Sequence, residues 1–269
     1  MTRYPKSTWR LIYSPAGDGP SHMAVDEAIQ HAVAEGAARP TLRLYAWAPP
    51  CLSLGRNQPI SEVDRDALRA ADYDLVRRPT GGRAILHIDE LTYSVSVPLS
   101  DPRVSGGVLV SCERLSRGLS QALVSLGIHD ATAHRREGTP PSLKPVCFEA
   151  AGAFEIMFRG KKLIGSAQMR RRGALLQHGT LPLCGDIARI SSFLIPPADP
   201  NRVRRRATTL EAAAGRAISW QEAAQAIADG FAQALNLRLE TEELTAEEHS
   251  AAADLAQEKY RTAGWTRRK

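Results

Sequence analysis

Two rhythms of apolar and polar positions run along this chain, and they change places near residue 200. Before it, short runs with a period of two dominate. Residues 41–47 (Thr-Leu-Arg-Leu-Tyr-Ala-Trp) alternate as a half-buried strand does. Residues 9–13 alternate more weakly and read as a short strand, and residues 51–54 resume strand character after Pro49-Pro50. Residues 73–78 form a strand that runs into Pro79-Thr80-Gly81-Gly82-Arg83. Residues 84–87 and 91–97 follow around a turn at Asp89-Glu90, and such short polar turns predict antiparallel neighbours. Residues 129–134 read as a further strand. Arg159-Gly160, between the apolar runs 154–158 and 161–164, has the turn chemistry of a β-hairpin. Arg170 to Gly173 reads as a second turn, before a strand from Ala174 to about Leu183.

Helical spacing interrupts this pattern twice before residue 200 and takes over after it. Ser21 is placed to cap a helix with the stripe Met23, Ala28, Ile29, Ala32 and Val33, ended by Gly36. Asp26 and Glu27 fall early in it, where the macrodipole favours negative charge. Val108, Cys112, Leu115, Leu119, Ala122 and Leu126 step by three and four, which predicts a helix stopped by Gly127 with Cys112 in the core. A short helix is predicted around 62–71. After the proline-rich 196–200 the chain becomes rich in alanine and glutamate. Ser219/Glu222 and Thr245/Glu248 are spaced as capping boxes for helices over 220–235 and 246–260. The pattern predicts an α+β fold: a core over residues 1–196 and a helical appendage over 197–269, packed as one unit.

The 269 residues have an ordinary globular composition, 43% apolar and 24% charged. No apolar run reaches the roughly 20 residues of a bilayer span, and the N-terminus has no apolar signal core. A cytoplasmic protein without membrane contact is expected. The net charge of +6 is concentrated in clusters such as Arg170-Arg171-Arg172 and Arg204-Arg205-Arg206. They suit either a solvated surface or an acidic protein partner. Aromatic residues do not interleave with them, which speaks against nucleic acid. Cys51, Cys112, Cys147 and Cys184 lack the spacing of a metal site or a disulfide framework, so no metal is expected.

The chemistry gathers in residues 145–179. Cys147 follows a loop-like stretch. A thiol there is either a small core residue or a nucleophile, and the second needs a nearby cation such as Lys144 or Lys162 to favour the thiolate. Lys162 precedes the small-residue turn Gly165-Ser166-Ala167 on a hairpin strand, where a lysine either snorkels outward or is buried for a reason. Gly81-Gly82 permits a close approach of backbone to a ligand, or simply a tight turn; it is neither a Walker loop nor a dinucleotide fingerprint. His87 is a core or hairpin histidine as easily as a site residue, while for His178, which could accept a proton from a thiol, a structural role is the commoner explanation.

Taken in order, five blocks resemble the biotin/lipoate ligase superfamily. They are Arg77-Arg78-Pro79-Thr80-Gly81-Gly82-Arg83-Ala84-Ile85-Leu86-His87; Glu90-Leu91-Thr92-Tyr93-Ser94; Val146-Cys147-Phe148-Glu149; Gly160-Lys161-Lys162-Leu163-Ile164-Gly165-Ser166-Ala167-Gln168; and Leu176-Gln177-His178-Gly179-Thr180. Within that superfamily the chain is similar to the single-chain octanoyltransferases of Gram-positive type. The resemblance implies a curved mixed sheet flanked by helices. It implies that Cys147 accepts the acyl group and Lys162 contacts the acyl carbonyl. It implies that Arg78, Gly81, Gly82 and His87 line one wall of the pocket and Gly165, Ser166 and Ala167 the other, with His178 nearby. The implied reaction moves octanoate from the phosphopantetheine arm of acyl carrier protein to a lysine of a lipoyl domain, of a glycine-cleavage H protein or a 2-oxoacid dehydrogenase E2. No separate cofactor is needed, and a monomer is expected. Three alternatives share the fold: an ATP-dependent lipoate ligase, an amidotransferase between lipoyl domains, and a non-catalytic lipoyl-domain binder.

Overall fold

The computed structural model describes residues 4–135 and 154–268. In chain order the strands are β1 (Ser7–Tyr13), β2 (Thr41–Tyr45), β3 (Cys51–Leu54), β4 (Asp74–Arg77), β5 (Ile85–His87), β6 (Glu90–Pro98), β7 (Ala131–Arg135), β8 (Phe154–Phe158), β9 (Lys161–Arg171), β10 (Ala174–Pro182) and β11 (Leu237–Thr241). The helices are α1 (Gly19–Ala34), α2 (Arg65–Ala70), α3 (Val108–Ser125), α4 (Pro200–Arg206), α5 (Leu210–Ala214), α6 (Trp220–Leu235), α7 (Ala246–Leu255) and α8 (Ala263–Thr266). Eight strands form a mixed sheet in the order β11-β1-β2-β6-β10-β9-β8-β7, and β4-β3-β5 form a small second sheet.

Strand alternation gives the large sheet two different faces. One carries Leu11, Leu42, Leu44, Tyr93, Val95 and Leu175, and packs with Leu115 and Leu119 of α3 and Ile227 and Phe231 of α6 into the main apolar core. The other carries Arg10, Thr41, Arg43, Tyr45, Glu90, Thr92, Ser94 and His178. These residues are polar, yet all are buried. α1 covers this second face, packing on β6 and β10, with α7 behind it. A polar sheet face sealed from water requires internal partners for its charges, and those partners make the candidate site.

Several elements differ from the sequence reading. β5 and β6 do not pair with each other. β5 pairs with β3 in the small sheet, while β6 lies between β2 and β10. The Asp89-Glu90 turn therefore carries the chain from one sheet to the other. Asp18 rather than Ser21 caps α1, its carboxylate accepting from Ser21 N at 2.8 Å. The reciprocal capping box forms at Thr245/Glu248. At Ser219 only the hydroxyl half forms, because Glu222 pairs with Arg216. Residues 246–260 are helical as expected, but the last turn, Ala256–Tyr260, is a π-helical one. The stretch 197–269 also holds a strand: β11 pairs in parallel with β1 and extends the large sheet. Cys112 is half-buried beside Gln168 and not in the core. The Arg159-Gly160 turn forms as read, with both residues at positive φ, which is the backbone that a two-residue hairpin turn demands.

Candidate active site

The Arg77–Arg83 block leaves β4 and folds back on the β3 end, held by two buried guanidinium groups. Arg78 Nη1 donates to the carbonyl and hydroxyl oxygens of Ser53 at 3.0 and 3.1 Å. Arg78 Nη2 donates to Gly81 O and Arg83 O, both at 2.8 Å. Arg77 Nη1 donates to Gly55 O at 2.8 Å and to Gln58 O at 2.7 Å. These planar, multi-donor contacts tie two loops to one strand end. The loops touch so closely that a Cβ on Gly55 would fall 1.9 Å from Gly82 O, and Gly82 itself has φ +94°. Gly81 and Gly82 are exposed, and a Cβ on Gly81 would meet nothing within 4 Å. The loop presents open backbone there.

Beneath this loop lies a fully buried ionic network. Asp26 Oδ1 accepts from Arg43 Nη1 and from Ser94 Oγ, each at 2.7 Å. Asp26 Oδ2 accepts from Tyr45 OH at 2.9 Å and faces His178 Nδ1 at 3.3 Å. Burial opposes ionisation of this carboxyl. The hydrogen bond from His178, the Arg43 charge and the Ser94 hydroxyl overcome it and hold Asp26 well below the usual carboxylate range. His22 is driven the other way: burial, then the Arg43 charge, lowers it to about 3, so it stays neutral. Its Nε2 donates to Ala46 O, leaving Nδ1 to accept from Arg43 Nη2 at 2.9 Å. His178 Nε2 lies 2.5 Å from Thr80 Oγ1. With Nδ1–H directed at Asp26, Nε2 accepts from the Thr80 hydroxyl. The Asp26–His178 pair thus fixes the middle of the Pro79–Gly82 turn to β10.

Lys162 reaches the same sheet face through an irregularity. Ile156 pairs with Ile164, but the next residue, Met157, pairs with Lys162, so Leu163 is an extra residue in β9. Strict alternation would have put Lys162 with Ile164 toward α3. The bulge leaves Leu163 and Ile164 both in the apolar core and turns Lys162 to the polar face. There its Nζ, buried at 3% side-chain exposure, pairs with Glu155 at 2.5 Å. Glu155 is opposite Gly165 in the register, which places the pair beside the Gly165-Ser166-Ala167 segment.

The profile of the lipoyl protein ligase A/B catalytic domain matches residues 18–232. The chain belongs to that family. It is 41% identical to the octanoyltransferase LipM of Symbiobacterium thermophilum, over 98% of this chain and all of that one. It is 44% identical to LipM of Kyrpidia tusciae, over 97% and 99%. Among solved structures it resembles the putative lipoate protein ligase of T. acidophilum with bound lipoic acid, at TM-score 0.79 and 26% identity over 98% of this chain and 100% of that one. A lipoate-protein ligase A bound with ATP superposes at TM-score 0.80 and 26% identity, over 98% and 99%.

On this lipoyl-ligase fold, the residues singled out from sequence are not all brought together. Gly81, Gly82, His178, Ala167 and Gly165 meet at one place: Thr80 joins the glycine turn to His178, and His178 stands opposite Ala167 in the β10–β9 register. Arg78 clamps the loop with its own donors. His87 sits one layer back, stacked on Trp47 with ring centroids 3.9 Å apart and 2.8 Å from Ser53 Oγ. Burial, then the Arg78 charge, holds His87 well below its ordinary value. The Ser166 hydroxyl lies on the opposite sheet face, 2.7 Å from Tyr93 OH, so Ser166 offers the polar face only its backbone. Cys147 lies outside the described residues.

Sequence reasoning passed over Asp26, Arg43, Ser94 and Glu90. A signal was present for one of them. Asp26 stands three residues from both Met23 and Ile29 on the apolar stripe of α1, and a charge on a buried stripe calls for a partner. Arg43 falls at the polar position of an alternating strand, where a solvated face is the ordinary expectation. The basic clusters prove largely engaged: Arg170 donates to Val104 O and Ser111 Oγ, Arg204 pairs with Asp186 and Arg205 with Asp199. Among the described residues no group of three His, Cys, Asp or Glu is placed to hold a metal, and no helix is long and apolar enough to cross a membrane.

Proposed function

We infer that this protein is an octanoyltransferase of lipoate assembly, and we propose that it works by ping-pong transfer through a thioester on Cys147. The observation that carries the reading is identity of 41% and 44% with octanoyltransferases along essentially the whole chain. Likeness to an ATP-bound ligase at 26% is much weaker and shares the fold, so fold alone does not separate the two activities. The proposed donor is octanoyl acyl carrier protein, whose thioester already carries the activation, so no ATP enters the scheme. The Cys147 thiolate attacks the octanoyl carbonyl, the C–S bond to phosphopantetheine breaks, and the octanoyl group rests on Cys147. The open backbone of Gly81-Gly82 and the Lys162 ammonium supply donors for the developing oxyanion. A lysine of a lipoyl domain then attacks the acyl-enzyme and takes the octanoyl group as an amide.

Intact mass after mixing the protein with octanoyl acyl carrier protein, without ATP, tests this. An octanoyl adduct is expected, and Cys147→Ser should abolish it. No adduct, together with ATP-dependent attachment of free lipoate, would overturn the reading. A faster adduct from an octanoylated lipoyl domain would reassign the donor, and a stable complex without adduct would mark a binder.

A further inference from the structure

Glu90 stands apart from the other carboxylates of the polar face. Its side chain is only 2% exposed, and one of its two oxygens is already fully engaged. Thr92 Oγ1 donates to Oε1, and Trp47 Nε1 in turn donates to Thr92 Oγ1 at 2.9 Å. His87 Nδ1 lies 3.3 Å from the same Oε1. The tautomer follows from the neighbours: Arg78 donates to Ser53 Oγ, and the Ser53 hydroxyl lies 2.8 Å from His87 Nε2. Nε2 therefore accepts, and Nδ1–H donates to Glu90. With two donors on Oε1, any proton on this carboxyl sits on Oε2. That oxygen is buried and has no hydrogen-bond partner among the described residues, a costly arrangement for a group nothing uses.

Glu90 also lines a narrow cleft with Leu86, Ile88, Pro182, Ile187 and Ile190. The rest of the lining is polar (Thr180, Cys184, Asp186 and Arg189), and a cleft that sets apolar side chains beside a carboxyl complements an alkylammonium: methylenes against the apolar side chains, ammonium toward Glu90. The charged groups around the mouth are matched among themselves, Arg189 with Asp89 and Asp186 with Arg204. Cys184, Asp186 and Arg189 are the other titratable groups lining the cleft, and His87 stays neutral. Thr180, a further lining residue, is paired with Gly165 of β9. The cleft and the Lys162 strand therefore share the polar face.

Resting on the acyl-transfer reading above, we propose that Glu90 receives the acceptor lysine in this cleft and takes its proton before acyl transfer. The ammonium passes one proton to Oε2 of the ionised carboxylate, giving a neutral amine and a carboxylic acid. The amine lone pair forms the C–N bond, the C–S bond to Cys147 breaks, and sulfur leaves as thiolate. The second nitrogen proton goes to solvent, and Glu90 later releases its own. Burial pushes the Glu90 carboxyl up to about 8. That brings it much closer to a lysine at ~10.4 than an ordinary carboxyl at ~4.3.

Single-turnover kinetics separate the two half-reactions. Glu90→Gln should form octanoyl-enzyme within about threefold of wild type but transfer it to a lipoyl domain ~10²-fold more slowly, as expected for a lost proton acceptor. The deficit should shrink about tenfold when the acceptor lysine is replaced by aminoethylcysteine, whose amine is less basic. A merely structural role predicts an equal deficit with both acceptors, and that result, or transfer at the wild-type rate, overturns the proposal. Should Glu90→Gln not fold, Glu90→Asp, which retracts the carboxyl by one methylene, takes its place with the same split expected. Failure of the wild type to form any octanoyl-enzyme sinks the transferase reading itself, and this inference with it.

Discussion

Asp26 is the residue on which the polar face depends. One carboxylate satisfies a guanidinium, a phenol, a hydroxyl and an imidazole, none of which meets water. Asp26→Asn removes the charge but not the shape. It leaves Arg43, 2% exposed, without its carboxylate. Removing one partner of a buried pair costs about 3–5 kcal/mol, and urea unfolding at neutral pH should show a loss of that order. The pH dependence follows from the direction of the shift. The folded carboxyl lies below its unfolded value of ~3.9, so its contribution is present above that value and is lost as pH falls through the folded one. Acid unfolding of the wild type should therefore steepen below about pH 4, and Asp26→Asn should flatten that limb.

At the scale of elements, two local departures from regular structure place the chemistry. The extra residue at Leu163 turns Lys162 to the polar face, and the contact of Gly55 with Gly82 O seats the glycine turn on the small sheet. Gly55→Ala tests the second. The added Cβ would meet backbone 1.9 Å away, so the turn must shift. Overpacking of this kind costs ~1–3 kcal/mol, and both loops belong to the proposed pocket. Octanoyl-enzyme formation should fall at least about tenfold, with the far-ultraviolet circular dichroism unchanged; a wild-type rate would detach the turn from acyl binding.

Across the whole molecule, the C-terminal segment locks the site elements from behind. Glu248 closes the capping box of α7 and also takes a bidentate contact from Arg10 of β1, with both side chains about 2–3% exposed. Trp265 Nε1 of α8 donates to Arg77 O at 2.8 Å, and Arg77 returns two bonds to Thr266 O. Lys259 and Tyr260 both reach Glu27 of α1. Glu248→Ala strands Arg10 in the interior, a loss of about 3–5 kcal/mol, or roughly 6–20 °C in melting temperature for a chain of this size. Differential scanning calorimetry reads this directly; a shift under about 2 °C would mean that Arg10 finds solvent or another acceptor.

The sequence by itself determined what is local. Alternation marked most strands, apolar stripes marked α1 and α3, capping-box spacing marked α6 and α7, and turn chemistry placed the Arg159-Gly160 hairpin. The wording of five short blocks pointed to the lipoyl-ligase family, which the match over residues 18–232 bears out. Tertiary structure decided what depends on partners far apart in the chain. Asp26 meets Arg43 across 17 positions and His178 across 152, and no periodicity within either segment encodes such a meeting. The same holds for the sheet each strand joins: β5 and β6, neighbours in sequence, part company, β5 pairing with β3 and β6 with β2 and β10. Burial of Glu90 came from stacking one layer on another, which turns an ordinary turn residue into a carboxyl with one oxygen left to fill.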